Sequence, residues 1–181
     1  MHETRHKRNT RLVLTVIVAF SICGFQPAQA GELKLGENAP AAELVTLDGQ
    51  HISTHGLKGH TVILTFWATW CEPCRKELPV LSHYAAAHKA NGLKVLGFCL
   101  DETEDMDKVR AVARQLSFPV GLLTQSSAPG YGRMWRIPVS FVIDSKGALR
   151  YDGWQDSAPA WTETSLKRVV GPLLANAIGQ K

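Results

Sequence analysis

The sequence lacks several features that would assign a protein directly to a function class. Its 181 residues contain no low-complexity tract and no internal repeat, which excludes a repeat architecture. Only four residues are cysteine, and the C-x-x-C motif at Cys71 and Cys74 has no second C-x-x-C or H-x-x-H motif that would complete a zinc site. The five histidines after residue 30 share no metal-ligand spacing with the cysteines. No metal site is therefore predicted, and the composition fits one globular domain with additional segments.

The first 30 residues have the pattern of a secretory signal peptide. Four basic residues precede an apolar run at residues 12–25, and an A-x-A site follows at residues 28–30. We therefore predict cleavage after Ala30, which leaves a domain of residues 31–181. The apolar run is shorter than the roughly 20 residues that span a bilayer comfortably, and an uncleaved membrane anchor is the alternative.

The predicted domain has no excess of charge of either sign. Residues 1–30 hold four of the 20 Lys and Arg residues and one of the 16 Asp and Glu residues, which leaves 16 basic and 15 acidic side chains in residues 31–181. The basic isoelectric point of the whole chain is thus mostly a property of its first segment. Such a balance offers no electrostatic surface for nucleic acid or for an anionic membrane.

Strand and helix patterns alternate after residue 40. The patterns predict a small hairpin around Asp48-Gly49, a buried strand at residues 61–67, a helix that ends at Asn91-Gly92, a strand at residues 93–100, a helix with Thr103 as its N-cap, a short strand at residues 120–123, a hairpin at residues 139–151 and a last helix interrupted at Gly171-Pro172. This order predicts a mixed α/β sandwich with helices on both faces of a central sheet.

The C-x-x-C motif directly follows the buried strand at residues 61–67 and begins a helix. Unpaired backbone N–H groups and the macrodipole at a helix N-terminus favour an anion, and a thiolate is such an anion. We therefore expect Cys71 to have a partly exposed sulfur and a pKa lowered from about 8.5 to roughly 4–7. Cys74, one turn later, is expected to be protected and able to form a disulfide with Cys71.

Two structural interpretations of the same motif stay open on the residues alone. A static disulfide is common in exported chains, although a two-residue gap closes too short a loop to add much stability. A zinc half-site would need partner ligands that the sequence does not offer. Disulfide exchange, with an attacking and a resolving cysteine, accounts for the motif best.

The segment FWATWCEPCRKELP resembles the active-site segment of TlpA/ResA-like periplasmic thiol–disulfide oxidoreductases, which have a thioredoxin fold. Further matches are the lead-in at residues 35–40, Asp48-Gly49, and the stretch from Phe118 to Gly147, so the resemblance covers most of residues 33–155. It implies a thioredoxin fold with an N-terminal β-hairpin extension and a central insertion within residues 101–124.

The resemblance also implies a substrate-binding surface beside the cysteines. Pro138 would be the family's cis-proline, packed opposite Cys71 and Cys74. Ile137, the residue before it, would offer backbone groups to an extended substrate segment. Trp70 resembles the family's active-site tryptophan, which shields the cysteines and frames the docking surface.

Proton transfer requires a group other than the buried aspartate of thioredoxins. That position is occupied here by Thr65, which does not ionise. Glu77, three residues beyond Cys74, matches a glutamate that the ResA-like group uses near its active site. Burial there would raise the pKa of Glu77 into a range useful for proton transfer.

The function that follows is a periplasmic disulfide reductase, for example in cytochrome c maturation with apocytochrome c as a substrate. Its electrons would come from a membrane thiol donor, and it would need no cofactor besides the Cys71–Cys74 pair. The alternatives are a copper-binding thiol chaperone and a thiol peroxidase of the same fold. Copper carriers of related fold usually have three residues between their cysteines, and the peroxidases have an upstream proline that is missing before Thr69.

The remaining notable side chains receive no functional role from the sequence. Cys99, in a predicted central strand, is interpreted as a small buried hydrophobe. Asp101 and Glu102 are interpreted as a strand end and a helix start. Packing is predicted for the other tryptophans, Trp67, Trp135, Trp154 and Trp161.

Overall fold

The structure, a computed structural model, describes residues 33–157 and 160–178, so the predicted signal segment of residues 1–30 lies outside it. Among the described residues, no helix is long and apolar enough to cross a membrane. The strands are β1 (Glu43–Val45), β2 (His51–Ser53), β3 (Thr61–Trp67), β4 (Leu93–Cys99), β5 (Val120–Leu122), β6 (Val139–Ile143) and β7 (Leu149–Asp152), and the α-helices are α1 (Glu72–His88), α2 (Met106–Ala113), α3 (Glu163–Val169) and α4 (Gly171–Ile178).

A five-stranded mixed sheet in the order β5-β4-β3-β6-β7 forms the centre of the domain. Strand β3 is parallel to β4 and antiparallel to β6, and β7 is antiparallel to β6. All seven residues of β3 are buried, which explains its continuous apolar and β-branched sequence. The ends of β3, β4 and β7 and the start of β6 consequently lie at one end of the sheet, called the upper edge below.

The two faces of the sheet are covered by different elements. One face carries the α-helices of the described residues, whose buried side chains Leu78, Leu81, Val109, Leu166 and Leu174 pack with Ile63, Trp67 and Cys99. The other face is covered by the β1–β2 hairpin and by a short 3-10 helix at Pro129–Tyr131. The predicted arrangement of a central mixed sheet flanked by helices is confirmed, although the α-helices of the described residues share one face and the helix on the other face is the 3-10 helix. Strand β4 lies beside β3, and β5 lies on the far side of β4, so both parallel connections proceed in the same direction across the sheet. Right-handed crossovers therefore place α1 and α2 on the same face.

The N-terminal hairpin extension forms as the sequence predicts. Strands β1 and β2 pair antiparallel, and Gly49 adopts a positive φ of 82° in the turn between them. Leu44 is fully buried on the second face, while the backbone of Glu43 bonds to Ser127 in both directions. The hairpin thus covers the aromatic side of the sheet and packs along β5.

The central segment forms α2 and then β5, and β5 extends the sheet beside β4. The sequence predicts Thr103 as the N-cap of α2, and this prediction is wrong. The chain first makes a short 3-10 helix at Thr103–Asp105. Helix α2 then begins at Met106, and Asp105 precedes it without a side-chain capping bond. Helices α3 and α4 are separated at Val170, directly before Gly171-Pro172, which confirms the predicted interruption of the last helix.

The contact between the hairpin and β5 leads to a test of the fold. A Cβ atom added at Gly121 would lie 1.9 Å from the carbonyl oxygen of Val45, so Gly121→Ala must displace backbone. We expect this variant to lose about 1–3 kcal/mol of unfolding free energy, as overpacked sites do. Gly56→Ala is the control, since no atom lies within 4 Å of its added Cβ. Equal midpoints in urea for the two variants would contradict the described contact.

Candidate active site

The two cysteines lie at the upper edge, where β3 ends and α1 begins. The chain leaves β3 at Trp67, passes through a short turn, and reaches Cys71 as the N-cap residue of α1. Pro73 fits the first turn of the helix because its missing N–H would have no partner there. Cys71 and Cys74 form a disulfide with an S–S distance of 2.01 Å.

The first turn of α1 provides a hydrogen-bond donor to Cys71 Sγ. The backbone N–H of Cys74 donates to Cys71 Sγ over 3.2 Å. Cys71 is more buried than the sequence predicts, with 5% of its surface exposed, because it belongs to the apolar cluster beneath α1. It is still the more accessible member of the pair, since Cys74 has no exposed surface.

Glu77 is a buried carboxyl on the same helix, three residues beyond Cys74. Only 1% of its surface is exposed. Its Oε2 accepts the backbone N–H of Trp161 over 2.7 Å, and its Oε1 accepts the hydroxyl of Thr65 over 3.5 Å. Burial raises the pKa of Glu77 to about 7, and the hydrogen bonds from Trp161 and Thr65 oppose that shift.

The residues predicted to bind substrate also lie at the upper edge. The Ile137–Pro138 peptide bond is cis, and β6 starts immediately after it with Val139 opposite Phe66 of β3. Ile137 packs against the apolar cluster that contains both cysteines. Trp70, the residue before Cys71, has 67% of its surface exposed. The fold therefore brings all the predicted site residues to this edge or to the first two turns of α1.

Asp101 is a buried carboxylate at the upper edge whose contacts the sequence analysis missed. It is 2% exposed and accepts the backbone N–H of Thr69 over 2.8 Å as well as the Thr69 hydroxyl. Thr69 lies two residues before Cys71, so Asp101 holds the turn that carries the disulfide. One signal was available in the sequence. Residues that follow two neighbouring parallel strands meet at the same edge of a sheet.

Cys99 is the third cysteine of the described chain, and its thiol also contacts Asp101. Its Sγ donates to Asp101 Oδ2 over 3.1 Å. Burial raises the pKa of the Cys99 thiol, and the side chain of Asp101 raises it further. A protonated, fully buried thiol is a poor nucleophile, which separates Cys99 from the exchange chemistry.

Trp161 has a second role that packing alone did not predict. Its ring is buried against Tyr151 at a centroid distance of 4.9 Å, and this fixes the backbone N–H that binds Glu77. Within residues 33–157 and 160–178, no group of three or more His, Cys, Asp or Glu residues is arranged to hold a metal ion.

Known proteins are similar in sequence to most of this chain. Residues 35–152 match the AhpC/TSA family. The thiol-disulfide oxidoreductase ResA of Bacillus cereus (strain ZK / E33L) is 32% identical over 78% of this chain and 87% of its own length. The sporulation thiol-disulfide oxidoreductase A of Bacillus subtilis (strain 168) is 30% identical over 77% of this chain and 86% of its own length.

A solved structure supports the same relationship. The crystal structure of a putative thiol:disulfide interchange protein DsbE from Chlorobium tepidum superposes with a TM-score of 0.64 at 27% identity. The similarity covers 82% of this chain and all of the other protein. The sheet and its helices therefore belong to a known thioredoxin-like architecture.

The raised pKa of Glu77 predicts how stability depends on pH. In the disulfide form, the folded protein keeps this proton up to about pH 7, whereas the unfolded chain loses it near pH 4.5. The free energy of unfolding should therefore decrease as the pH rises from about 4.5 to about 7, by about 3 kcal/mol in total. We expect Glu77→Gln to remove that decrease, and denaturant titrations at several pH values measure it. Parallel profiles for the two proteins would show that Glu77 titrates normally.

The contact between Thr69 and Asp101 predicts a difference between two conservative variants. Thr69→Val removes a donor from a buried carboxylate, which costs about 1–3 kcal/mol of unfolding free energy. Thr69→Ser retains the hydroxyl and should remain close to the wild type. Urea unfolding of the oxidised proteins measures both. Val and Ser variants of equal stability would contradict the role of this bond.

Proposed function

The chain belongs to the AhpC/TSA family and is a thiol–disulfide oxidoreductase of the ResA and DsbE type, and from this premise we propose that it is an exported disulfide reductase acting on protein cysteines. The observation that carries the proposal is the hydrogen bond from the Cys74 N–H to Cys71 Sγ at the start of α1. After reduction, the same donor and the helix dipole favour a thiolate at Cys71.

The proposed reaction passes two electrons to a substrate disulfide. The Cys71 thiolate attacks one substrate sulfur, so that a mixed disulfide forms and the other substrate sulfur leaves as a thiolate. The Cys74 thiolate then attacks Cys71 Sγ, which forms the Cys71–Cys74 disulfide and releases the second substrate thiolate. Both substrate thiolates take up protons. A membrane thiol donor reduces the enzyme disulfide again, and no cofactor besides the redox pair is required.

Glu77 is the proposed acceptor of the Cys74 proton. Residues three apart on a helix lie on the same face, and both of these side chains are buried. A carboxyl with a pKa of about 7 gains and loses a proton readily at neutral pH. Glu77 also lines a groove of about 750 Å³ with Pro73 and Trp161, which supports proton exchange between the carboxyl and solvent.

The proposed substrate site consists of Trp70, Ile137 and Pro138. Trp70 directly precedes Cys71 in the chain and its side chain is exposed, so the indole is available to cover an approaching segment. The backbone of Ile137, just before the cis bond, can pair with an extended substrate strand. These contacts would position a cysteine of the substrate at the more accessible sulfur, that of Cys71.

The cellular role that we propose is reduction of periplasmic protein cysteines. The signal-like segment of residues 1–30 supports export, and the oxidising periplasm makes a reductase dependent on a membrane electron donor. The resemblance to the TlpA/ResA group suggests cytochrome c maturation, with apocytochrome c as a substrate. The names of the relatives refer to disulfide exchange, which favours this function over copper binding or peroxide reduction.

Trapping of the mixed disulfide tests the proposed function. We expect Cys74→Ser to accumulate a covalent adduct with substrate proteins, because no second thiol is available to attack Cys71 Sγ and release the substrate thiolate. The adduct should appear on non-reducing gels of periplasmic extract and disappear with dithiothreitol. Cys71→Ser is the matched control and should trap nothing.

The wild-type protein supplies a second readout. It should increase the rate at which dithiothreitol reduces insulin. In both serine variants this increase should be at least tenfold smaller, because each lacks one thiol of the pair. Absence of both the adduct and the catalysis would reject disulfide exchange. Mass spectrometry of the trapped partner distinguishes cytochrome maturation from a broader reducing role.

A further inference from the structure

A second exposed tryptophan, Trp135, lies on the loop that leads to the cis-proline. Among the described residues, the large hydrophobic side chains that are exposed are Leu35, Trp70 and Trp135, and Trp135 is the most exposed, at 71%. Trp70 belongs to the site described above, whereas the reaction uses neither of the others. An indole left in water at the rim of an active site points to a contact with a binding partner.

The ring of Trp135 is held in place by the residues beneath it. It stacks on Trp154, with the ring centroids 5.4 Å apart and the planes inclined by 15°. The indole N–H of Trp154 donates to the carbonyl of Tyr131 over 2.8 Å, which fixes the lower ring. The exposed face of Trp135 is therefore a preorganised flat surface, so binding to it costs little side-chain entropy.

Arg136 fastens the same surface to the rest of the domain. Its Nη2 donates to the backbone carbonyls of Gly153, Trp154 and Asp156 at 2.7–3.0 Å. Its guanidinium carbon lies 5.2 Å from the ring centroid of Trp135 and 5.8 Å from that of Trp154. The loop before β6 and the chain after β7 thus form one unit at the upper edge.

Chain connectivity places this surface next to the proposed substrate strand. Trp135 precedes Ile137 by two residues, a span of at most about 7 Å along the backbone. A polypeptide that pairs with Ile137 would bring its neighbouring side chains within reach of the indole. Leu35 differs in this respect, because the adjacent Gly36 bonds to Leu149 at the opposite end of β7.

We propose that Trp135, supported by Trp154, is a specificity-determining residue that binds an aromatic or aliphatic side chain of the substrate polypeptide near the cysteine under attack. This inference rests on the proposed function, since it assigns a sequence preference to that same exchange reaction. The occupant is an extended protein segment, because the surface is one ring wide and continues into the backbone that would pair with a strand.

A phenylalanine scan of disulfide peptides tests the proposal. Each peptide carries one cysteine in a disulfide with a chromogenic thiol, and phenylalanine or serine occupies one of the four positions on either side. The wild-type dithiol form should reduce the best phenylalanine peptide about tenfold faster, in kcat/KM, than its serine counterpart, the size expected for one aromatic pair. Trp135→Ala should reduce that ratio to about one.

The ratio of the two rates separates binding from general damage to the enzyme. Trp135→Phe should keep most of the preference, because a ring remains on Trp154. Leu35→Ala, which removes an exposed hydrophobic side chain far from the upper edge, should keep all of it. A wild-type preference that survives in Trp135→Ala overturns the proposal, and so does a wild type without any preference.

Two further outcomes are distinguishable. A wild type that exchanges with none of the peptides overturns the proposed function, and this inference with it. If Trp135→Ala releases the protein from vesicles of anionic phospholipid while the peptide ratio stays at its wild-type value, the ring serves a lipid surface and the substrate assignment is overturned.

Discussion

The position of Cys71 at the N-terminus of α1 is the constraint on which the rest of the structure depends. Strand β3 ends at the residue where a tight turn can place this sulfur over the first N–H groups of the helix, and the Cys74 N–H donates to it. The burial of all seven β3 residues anchors that turn from below. Because β3 and α1 fix the two cysteines, one sulfur is the more accessible and the other is fully buried.

Buried polar groups around this pair are arranged for chemistry more than for stability. Glu77 is desolvated in the helical face and holds its proton to about pH 7, although a nonpolar residue would pack there at lower cost. Asp101 uses its buried carboxylate to hold Thr69 in the active-site turn and to bind the Cys99 thiol. The two carboxyl groups therefore differ, since Glu77 is the proton acceptor that we propose and Asp101 positions the backbone.

The topology explains why so many functional residues share the upper edge. Strands β3 and β4 end there, β6 begins there, and β7 returns to it, so four separate chain segments converge. The α-helices of the described residues occupy one face, and the hairpin closes the other without covering that edge. The cysteines, the cis-proline loop and the stacked tryptophans therefore lie at the end of the sheet where the proposed substrate polypeptide would bind.

The sequence by itself determined the elements and the reacting residues, because these follow from local signals. The apolar run of β3 and the C-x-x-C motif at a helix start were sufficient to predict the strand, the helix and a disulfide-forming pair, whereas the thioredoxin fold and the cis bond at Pro138 were implied by the resemblance to the TlpA/ResA-like group. The tertiary structure alone decided the placement of α2 on the same face as α1, the burial of Cys71, and the contacts of Asp101 and Trp161. Those features depend on crossover handedness and on hydrogen bonds from backbone N–H groups to carboxylates that are 32 and 84 residues away in the chain, and no local pattern records such pairings.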